Sequence, residues 1–351
     1  MNHNQLNEFL PFWVRSDGKS NDVAFSSRIR LARNIKGIPF PNYAKEKDLN
    51  AVIEAIKKGI KGKDNFGHLS IIDLEALTPS DRLCLVEKHL CSPQFIEQPH
   101  LRSLIVNPEQ SISLMVNEED HLRIQTIVPG FAPDNALNLA NQVDDYLEEF
   151  LEYCFDENYG YLTACPTNVG TGLRVSIMVH LPGLTIIDQV KKVLTALTHI
   201  GINIRGLYGE GTESFGDLYQ ISNQVTLGHT EVELINNLKS VCRQVIEQER
   251  AVREALLKES KMQLEDRVYR AFGVLTHARM LTSQEALKLL SDVKLGIELG
   301  IITGIKQVEI KELFLLTRAS ILQKIAGKEL PTPERDYYRA QIIREHFKKA
   351  E

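Results

Sequence analysis

Apolar and polar residues alternate along several short stretches of the chain, and this period of two predicts β-strands. In residues 173–181, LRVSIMVHL, leucine, valine and isoleucine side chains take one face. Arg174, Ser176, Met178 and His180 take the other face. Further strands are predicted at SISLMV (111–116), HLRIQTIV (121–128) and LYQISNQVTL (218–227).

Other stretches repeat their apolar positions every three or four residues, which predicts helices. Thr230 and Glu233 form a capping-box signal that opens a long helix running past Glu249. DRLCLVEKHL (81–90) fits a strand or a helix. Two further helical stripes consist of Leu137, Ala140, Val143, Leu147, Phe150 and Leu151, and of Ile187, Val190, Leu194, Leu197 and Ile200, the second stopped by Gly201.

Strands and helices do not follow a regular βαβ rhythm, which favours an α+β fold over a doubly wound parallel sheet. After about residue 256 the strand signals vanish, and three segments predict helices: 261–281, 283–300 and 310–327. We therefore expect a domain of mixed strands and helices at 1–255 and an all-α C-terminal domain at 256–351, with the boundary between residues 255 and 260.

Composition narrows the class of protein. The 351 residues are 43% hydrophobic and 25% charged, which is ordinary for a globular chain. A net charge of -5 gives no overall basic field for nucleic acid. No apolar run has the length of a membrane span, and the N-terminus does not resemble a signal peptide. Five cysteines are too sparse for a disulfide framework and favour a reducing cytoplasm.

Familiar nucleotide and metal motifs are absent from the sequence, including GxxxxGK[ST], CxxC and HExxH, so we predict no metal held by protein ligands. Instead, arginines stand at strand or loop-edge positions. Arginine presents a planar fork of donors that matches phosphate oxygens. Each one alone more often pairs with a surface acid, but together they suggest a polyphosphate clamp without a P-loop: Arg28, Arg30, Arg123, Arg174 and Arg205.

Three loops carry further candidate chemistry. CPTNVGTG (165–172) allows close backbone approach to a ligand and begins at Cys165, although a buried inert cysteine is the commoner outcome. RGLYGEGTE (205–213) has the glycine content of a closing loop and ends at Glu213, by default an exposed acid. NEEDH (117–121) joins two predicted strands, and its simplest interpretation is a solvated hairpin tip.

SSRIRLARN, NEEDHLRIQ, CPTNVGTGLR and RGLYGEGTE occur in this order, and together they resemble the guanidino (phosphagen) kinase family over residues 15–255. Only 25 residues precede Ser26, where the small-molecule kinases carry a helical domain, and residues 256–351 form an extension that those kinases lack. This layout is similar to the bacterial protein-arginine kinases, whose RDxxRA motif corresponds here to RDYYRA (335–340).

The resemblance implies that residues 1–255 form a catalytic domain with an antiparallel β-sheet flanked by helices. It also implies a role for individual positions. Glu119 and Glu213 grip the substrate guanidinium, and Cys165 lies near it. Arg335, Asp336 and Arg339 bind phosphoarginine, although Asp336 and Arg339 also fit a simple i,i+3 ion pair. Tyr208 stands where the small-molecule kinases have a second arginine. The implied nucleotide-binding residues are Ser26, Ser27, Arg28, Ile29, Arg30, His89, Arg123, Arg174, Val175, Ser176, Ile177, Met178, Arg205, Gly206, Leu207, Tyr208, Gly209 and Glu210.

The function implied is transfer of the γ-phosphoryl group of ATP, with Mg²⁺, to arginine side chains of proteins. Phosphorylation would mark these proteins for a Clp-type protease or serve stress regulation. The expected partners are protein substrates with accessible arginines, that protease, an activator protein and further copies of the chain, but neither nucleic acid nor membrane. The alternatives are a kinase for free arginine and a non-catalytic phosphoarginine-binding adaptor.

Overall fold

The computed structural model describes residues 9–60, 66–198, 201–208 and 214–348. Eight of the strands in these ranges form one antiparallel sheet in the order β2-β3-β4-β5-β1-β8-β10-β9, and β6 pairs with β7. The strands are β1 (Ala24–Arg33), β2 (Ser70–Asp73), β3 (Ser103–Val106), β4 (Ile112–Val116), β5 (Leu122–Pro129), β6 (Phe155–Asp156), β7 (Gly160–Tyr161), β8 (Leu173–His180), β9 (Ile202–Tyr208) and β10 (Ser214–Asn223).

Helices flank this sheet and make up the last third of the chain, which confirms the α+β prediction. In chain order they are α1 (Phe12–Arg15), α2 (Glu46–Ile60), α3 (Pro79–Glu87), α4 (Pro93–Glu97), α5 (Pro133–Glu148), α6 (Pro182–Ile186), α7 (Val190–Thr198), α8 (Glu231–Glu259), α9 (Lys261–His277), α10 (Ser283–Glu298), α11 (Gln307–Leu316), α12 (Ala319–Ala326) and α13 (Thr332–Lys348).

One face of the sheet is apolar and lies under helices. The alternation predicted for β8 is confirmed: Leu173, Val175, Ile177 and Val179 are fully buried in the largest hydrophobic cluster. Helix α5 packs on β5 and β1, and α8 packs on β8. This cluster fixes the central strands, and therefore fixes the direction of every side chain on the opposite face.

The C-terminal helices cover part of that opposite face. Phe25 of β1, Met178 of β8 and Leu218 of β10 share a hydrophobic cluster with these helices, and the Phe25 ring meets Phe314 edge-on at 5.4 Å between centroids. At Gly216, a side chain would collide with the carbonyl of Leu287 in α10. The helical region therefore forms one wall of the space above the uncovered part of the sheet.

A buried polar chain crosses the same interface. The Ser291 hydroxyl donates its proton to Asp217 at 2.5 Å. The Ser291 oxygen therefore accepts the second hydrogen bond, of 2.8 Å, from Nε2 of His180. Burial is the main cause that holds the pKa of His180 well below its usual value, and the charges of Lys294 and Arg253 add to it. His180 is therefore neutral where the helical region meets the sheet.

Several sequence predictions can be compared directly with these elements. The Thr230–Glu233 capping box is present, and its helix continues to Glu259. Residues 79–87 are helical, which resolves the ambiguity at 81–90. The apolar segment 310–327 contains two helices, because α11 ends at Leu316 and α12 begins at Ala319. Ser260 separates α8 from α9, at the end of the interval predicted for a domain boundary.

In the part of the chain that the structure describes, none of the helices combines the length and the apolar character needed to cross a membrane.

Candidate active site

Arginines from neighbouring strands project from the uncovered face of the sheet. In the β1–β8 pair, Arg30 lies directly opposite Arg174, and Arg28 lies opposite Ser176. Residues directly opposite in an antiparallel pair point to the same face, so these four side chains stand together. The Arg28 Nε donates to the Ser176 hydroxyl at 3.3 Å.

The same face continues outward on both sides. On β5, Arg123 lies opposite Ala32 of β1. On β9, Arg205 lies opposite Gln220 of β10, and the Gln220 side-chain oxygen accepts a hydrogen bond of 2.7 Å from Arg28. The pairing register of neighbouring strands therefore brings all five predicted arginines to one face of the sheet. This face extends across β5, β1, β8, β10 and β9.

Burial and mutual repulsion lower the pKa values of Arg28 and Arg30. Burial is the largest cause that lowers the pKa of Arg28 to about 10, and the charges of Arg123 and Arg174 act in the same direction. Burial and the same neighbours lower the pKa of Arg30 well below its usual value. The Nε of Arg30 is buried and has no hydrogen-bond partner among the described residues. Such concentrated, partly unsatisfied positive charge fits a polyanion such as a nucleotide polyphosphate.

The NEEDH turn between β4 and β5 is not the solvated tip that the sequence suggested. Asn117, Glu118, Asp120 and His121 are all buried, and Asn117 adopts a positive φ of 61°. Asp120 accepts hydrogen bonds of 2.7 Å from the Asn34 side chain and from the Ala164 backbone. The prediction of a solvated tip is wrong because these side chains are bonded to segments that are distant in sequence.

Glu118 and Glu119 share one arginine but differ in exposure. Arg123 contacts Glu118 at 2.5 Å and Glu119 at 3.2 Å. Glu118 is buried and also accepts a hydrogen bond from Ser92. The Glu119 side chain is 36% exposed. Of the two acids, Glu119 is therefore the one that a ligand can reach.

Glu119 and Cys165 line one cleft together with three of the five arginines. The cleft has a volume of about 160 Å³, and its Cys165 thiol lies 3.0 Å from the Thr167 hydroxyl. The wall combines a carboxylate, a thiol and several guanidinium groups, so an anion and a cation could bind side by side. The lining residues are Arg30, Ala32, Glu119, Arg123, Cys165, Thr167, Asn168, Gly172 and Arg174.

An ion pair that the sequence patterns did not predict holds the 165–172 loop. Arg33 is buried, binds Asp144 at 2.6 Å and donates to the Thr171 carbonyl at 3.0 Å. A side chain at Gly172 would collide with Arg33 and with the Ala32 backbone. Thr226 donates to two carbonyls of the same loop. These contacts join residues that are far apart in sequence, so no local pattern predicts them. The only local hint is that SSRIRLARN contains a third arginine.

Some residues predicted to bind nucleotide do not point into the cleft. Ile29, Val175 and Ile177 are buried in the cluster on the opposite face, and the Ser27 hydroxyl donates to the Gly130 carbonyl. Strand alternation causes this placement, since the resemblance implied continuous segments whereas a strand presents every second side chain. These residues support the strands that carry the arginines.

The remaining predicted positions lie against the helical region, within β9 or outside the described residues. Ser26 and Met178 lie opposite each other and are buried toward the helical region. Leu207 also packs against the cluster of that region. Gly206 and Tyr208 belong to β9. Gly209, Glu210 and the second predicted carboxylate, Glu213, lie outside the described residues.

His89 borders this region in an unusual backbone conformation, with φ of 63°. Burial is the largest cause that lowers the pKa of His89 to about 3, and the charges of Arg28 and Arg318 act in the same direction. Its ring centroid lies 5.4 Å from that of Trp13. His89 is therefore a neutral, aromatic-packed neighbour of the arginine face.

The predicted phosphoarginine residues lie on α13, away from the cleft lining. Asp336 pairs with Arg339 at 2.5 Å, which is the i,i+3 geometry. Arg339 is buried and also donates to the carbonyls of Thr317 and Leu281. Arg335 is only partly buried. Arg339 thus holds chain segments together, while Asp336 and Arg335 remain more accessible.

A divalent cation would find few protein ligands in the described ranges, which contain no group of three or more histidine, cysteine or acidic side chains suited to hold a metal. The arginine-lined cleft fits the phosphates of a nucleotide instead. A cation that accompanied the nucleotide would be held by phosphate oxygens and water.

Comparison with known proteins gives two adjoining family matches. Residues 50–252 match the ATP:guanido phosphotransferase C-terminal catalytic domain. Residues 261–351 match the protein-arginine kinase McsB C-terminal domain. The first match ends within α8, and the second begins at the first residue of α9.

Individual relatives agree with these matches. The chain is 49% identical to a protein-arginine kinase of Halothermothrix orenii, over 97% of both chains, and 47% identical to one of Pelotomaculum thermopropionicum, again over 97% of both. A duplicated taurocyamine kinase from Schistosoma mansoni, solved with transition-state analogue components, is structurally similar with a TM-score of 0.60 and 26% identity. That similarity covers 71% of this chain and 36% of the other.

Proposed function

The chain belongs to the ATP:guanido phosphotransferase family, among the protein-arginine kinases, and we propose that its arginine-lined cleft transfers the γ-phosphoryl group of ATP to arginine side chains of proteins. The observation that carries this assignment of the cleft is the position of Glu119. It is a reachable carboxylate that lines the same cleft as Arg30, Arg123 and Arg174. One cleft thus offers a place for a cation beside a place for phosphates.

The acceptor nitrogen of a guanidinium is a poor nucleophile, because its lone pair is delocalised and the group is protonated with a pKa above about 12. Glu119 addresses both difficulties. Its carboxylate binds the guanidinium and orients the nitrogen in line with the γ-phosphorus. As the N–P bond forms and the bond from phosphorus to ADP breaks, Glu119 accepts the proton that leaves the nitrogen.

The arginines stabilise the phosphoryl group while it is transferred. Arg28, Arg30, Arg123 and Arg174 surround the phosphates and offset the negative charge on the transferring group, which is the main electrostatic contribution of a phosphotransferase. Their mutual repulsion in the free protein is relieved when an anion binds. The Glu118–Arg123 contact holds one guanidinium in place before ATP arrives.

Four further assignments rest on the resemblance. Glu213 is proposed as a second carboxylate on the substrate guanidinium, and the 205–213 loop closes over the bound substrates. Cys165 lies beside the guanidinium. Mg²⁺ bound to the ATP phosphates would supply charge neutralisation there, and this chain's residues would not need to provide a dedicated set of carboxylates.

The accessible Asp336 and Arg335 on α13 are proposed to bind phosphoarginine, with a carboxylate on the guanidino group and an arginine on its phosphate. Phosphoarginine peptide binding to an Asp336→Ala variant, measured by calorimetry, tests this: affinity equal to that of the wild type would exclude Asp336 from the site. The family also suggests cytoplasmic activity, self-association, an activator and delivery of marked proteins to a Clp-type protease.

A kinase for free arginine is the nearest alternative, and a non-catalytic adaptor is the next. Incubating the chain with ATP and either free arginine or an unfolded protein, while measuring ADP release, separates these functions. We expect turnover with the unfolded protein and far less with free arginine. Turnover with free arginine alone would support the first alternative, and no turnover with either would support the second.

A further inference from the structure

A second, larger groove lies beside the active-site cleft, where the chain leaves α5 and forms the short β6–β7 hairpin. Its volume is about 750 Å³. Among the described residues, the lining consists of acids and aromatic or aliphatic side chains and contains no lysine or arginine. The lining residues used below are Glu148, Glu149, Phe155 and Tyr161.

The aromatic part of the groove is open to solvent. The Phe155 side chain is 58% exposed and meets the Tyr161 ring edge-on, with centroids 5.2 Å apart. Phe155 therefore presents an exposed apolar ring beside the half-buried ring of Tyr161. The Tyr161 ring already receives one guanidinium, because Arg33, which does not line the groove, lies 3.5 Å from its centroid.

Two acids of the groove lie at the C-terminal end of α5, where negative charge does not stabilise a helix. Glu148 is the last residue of α5, Glu149 follows as its cap, and the last turn carries no basic residue. The carbonyl end of a helix favours cations and disfavours carboxylates. Burial is the main cause that raises the pKa of Glu148, and the negative charge of Asp144 adds to it. A bound cation would relieve this repulsion.

The groove is close enough to the cleft for one substrate to reach both. Tyr161 lines the groove and Cys165 lines the cleft, and only four residue steps separate them. An extended chain advances at most about 3.6 Å per residue, so their Cα atoms are no more than about 14 Å apart. The loop between them is anchored, since Tyr161 and Gly170 exchange backbone hydrogen bonds.

We propose that this groove binds an extended segment of the protein substrate that carries a second basic side chain, a few residues from the target arginine. The basic group meets Glu148 and the rings of Phe155 and Tyr161, through charge and cation–π attraction. This inference rests on the proposed function, because it assumes that the target arginine occupies the cleft beside Glu119. It adds a source of substrate preference that free arginine cannot use.

The test compares two peptides with three forms of the full chain. Both peptides hold one target arginine, and one carries lysine residues three to five positions away where the other carries glutamine. The groove variant is E148Q/F155A. The control is E259Q/M262A, since Glu259 also ends a helix and Met262 is also exposed, but both lie outside the groove.

For the wild type, we expect the lysine peptide to have a KM about tenfold lower than the glutamine peptide, a difference typical of one charged contact and one cation–π contact. Its kcat is unchanged, because the groove acts on binding alone. The groove variant loses most of this difference, and the control keeps it. Equal discrimination by all three forms, or its loss in the control as well, would overturn the proposal.

Binding without catalysis separates this proposal from the proposed function. Fluorescence anisotropy of the dye-labelled peptides, in the absence of ATP, should show the same preference for the lysine peptide in the wild type and its loss in the groove variant. Turnover of protein arginine without this preference would leave the proposed function intact and overturn the groove. Preference without turnover would support the groove and contradict the proposed function.

Discussion

At the scale of single residues, the site depends on two adjacent glutamates with different surroundings. The sequence and its resemblance select Glu119 for chemistry and leave Glu118 as a residue that shapes the turn. The structure instead shows Glu118 buried between Arg123 and Ser92. Adjacent positions with the same side chain carry no local signal to distinguish them, because the distinction comes from a partner 26 residues away.

Glu119→Gln removes the proton acceptor without changing the shape of the cleft. We expect kcat to fall by about 10²–10⁴, the range for general acid–base catalysis. Nucleotide affinity should stay within about twofold, because the arginines remain. Trp13, the chain's only tryptophan, packs against His89 and provides a fluorescence signal for nucleotide titration. Near-normal turnover would contradict the role of Glu119.

Glu118→Gln should act on stability. The substitution removes the charge that compensates a largely buried Arg123, and hydrogen bonds to charged groups contribute about 2 kcal/mol. We expect the free energy of unfolding in urea to fall by roughly that amount, whereas Glu119→Gln leaves it close to the wild-type value. Equal stability of the two variants would show that burial does not distinguish the two acids.

At the scale of elements, strand alternation is the most reliable signal in the sequence. The period of two by itself places Arg28 and Arg30 on one face of their strand, and Arg174 and Ser176 on one face of theirs, whereas the register of the β1–β8 pair sets which of them meet. Periodicity cannot show which strands are neighbours, because pairing between β1 and β8 joins segments about 150 residues apart. The anchor of the 165–172 loop, Arg33 with Asp144, escapes prediction for the same reason.

Asp144→Ala should displace that loop. Arg33 would remain buried without its partner, and breaking a buried ion pair from one side typically costs about 3–5 kcal/mol. We also expect a changed rate of Cys165 alkylation, quantified by peptide mass spectrometry, because the Arg33 contact to Thr171 weakens. Glu249→Ala, at the buried Arg253 pair, is the matched control. It should reduce stability and leave Cys165 reactivity unchanged.

At the scale of the whole molecule, the helical region and the sheet share one hydrophobic cluster and a buried polar chain. The loss of strand signal after residue 256 predicts a separate helical region. It does not predict how closely that region packs, because Phe25 and Met178 are also ordinary strand residues. The helical region is therefore part of the wall that defines the active-site face.

This interface makes stability depend on pH through His180. Its pKa is depressed in the folded protein, so below about pH 6.5 the unfolded chain binds a proton that the folded chain does not. The contribution to stability is complete above that pH and decreases as the pH falls. Between pH 6.5 and 5, the loss from this residue is about 2 kcal/mol, at about 1.36 kcal/mol per pH unit.

His180→Gln keeps a donor for Ser291 but does not titrate. Its free energy of unfolding should therefore decrease less than that of the wild type between pH 7 and pH 5, by about 2 kcal/mol. Urea denaturation at several pH values measures this difference. His68→Gln, at an exposed histidine, should follow the wild type. A His180→Gln variant with the wild-type pH dependence would show that His180 is not the responsible group.

The central claim is that the Glu119 cleft phosphorylates arginine side chains of proteins. The most direct test is mass spectrometry of an unfolded protein incubated with the chain and ATP, under conditions that preserve acid-labile phosphate. The account predicts phosphate on arginine residues with the wild type and almost none with Glu119→Gln. Phosphate absent from arginine with the wild type, or present at equal levels with the variant, would contradict it.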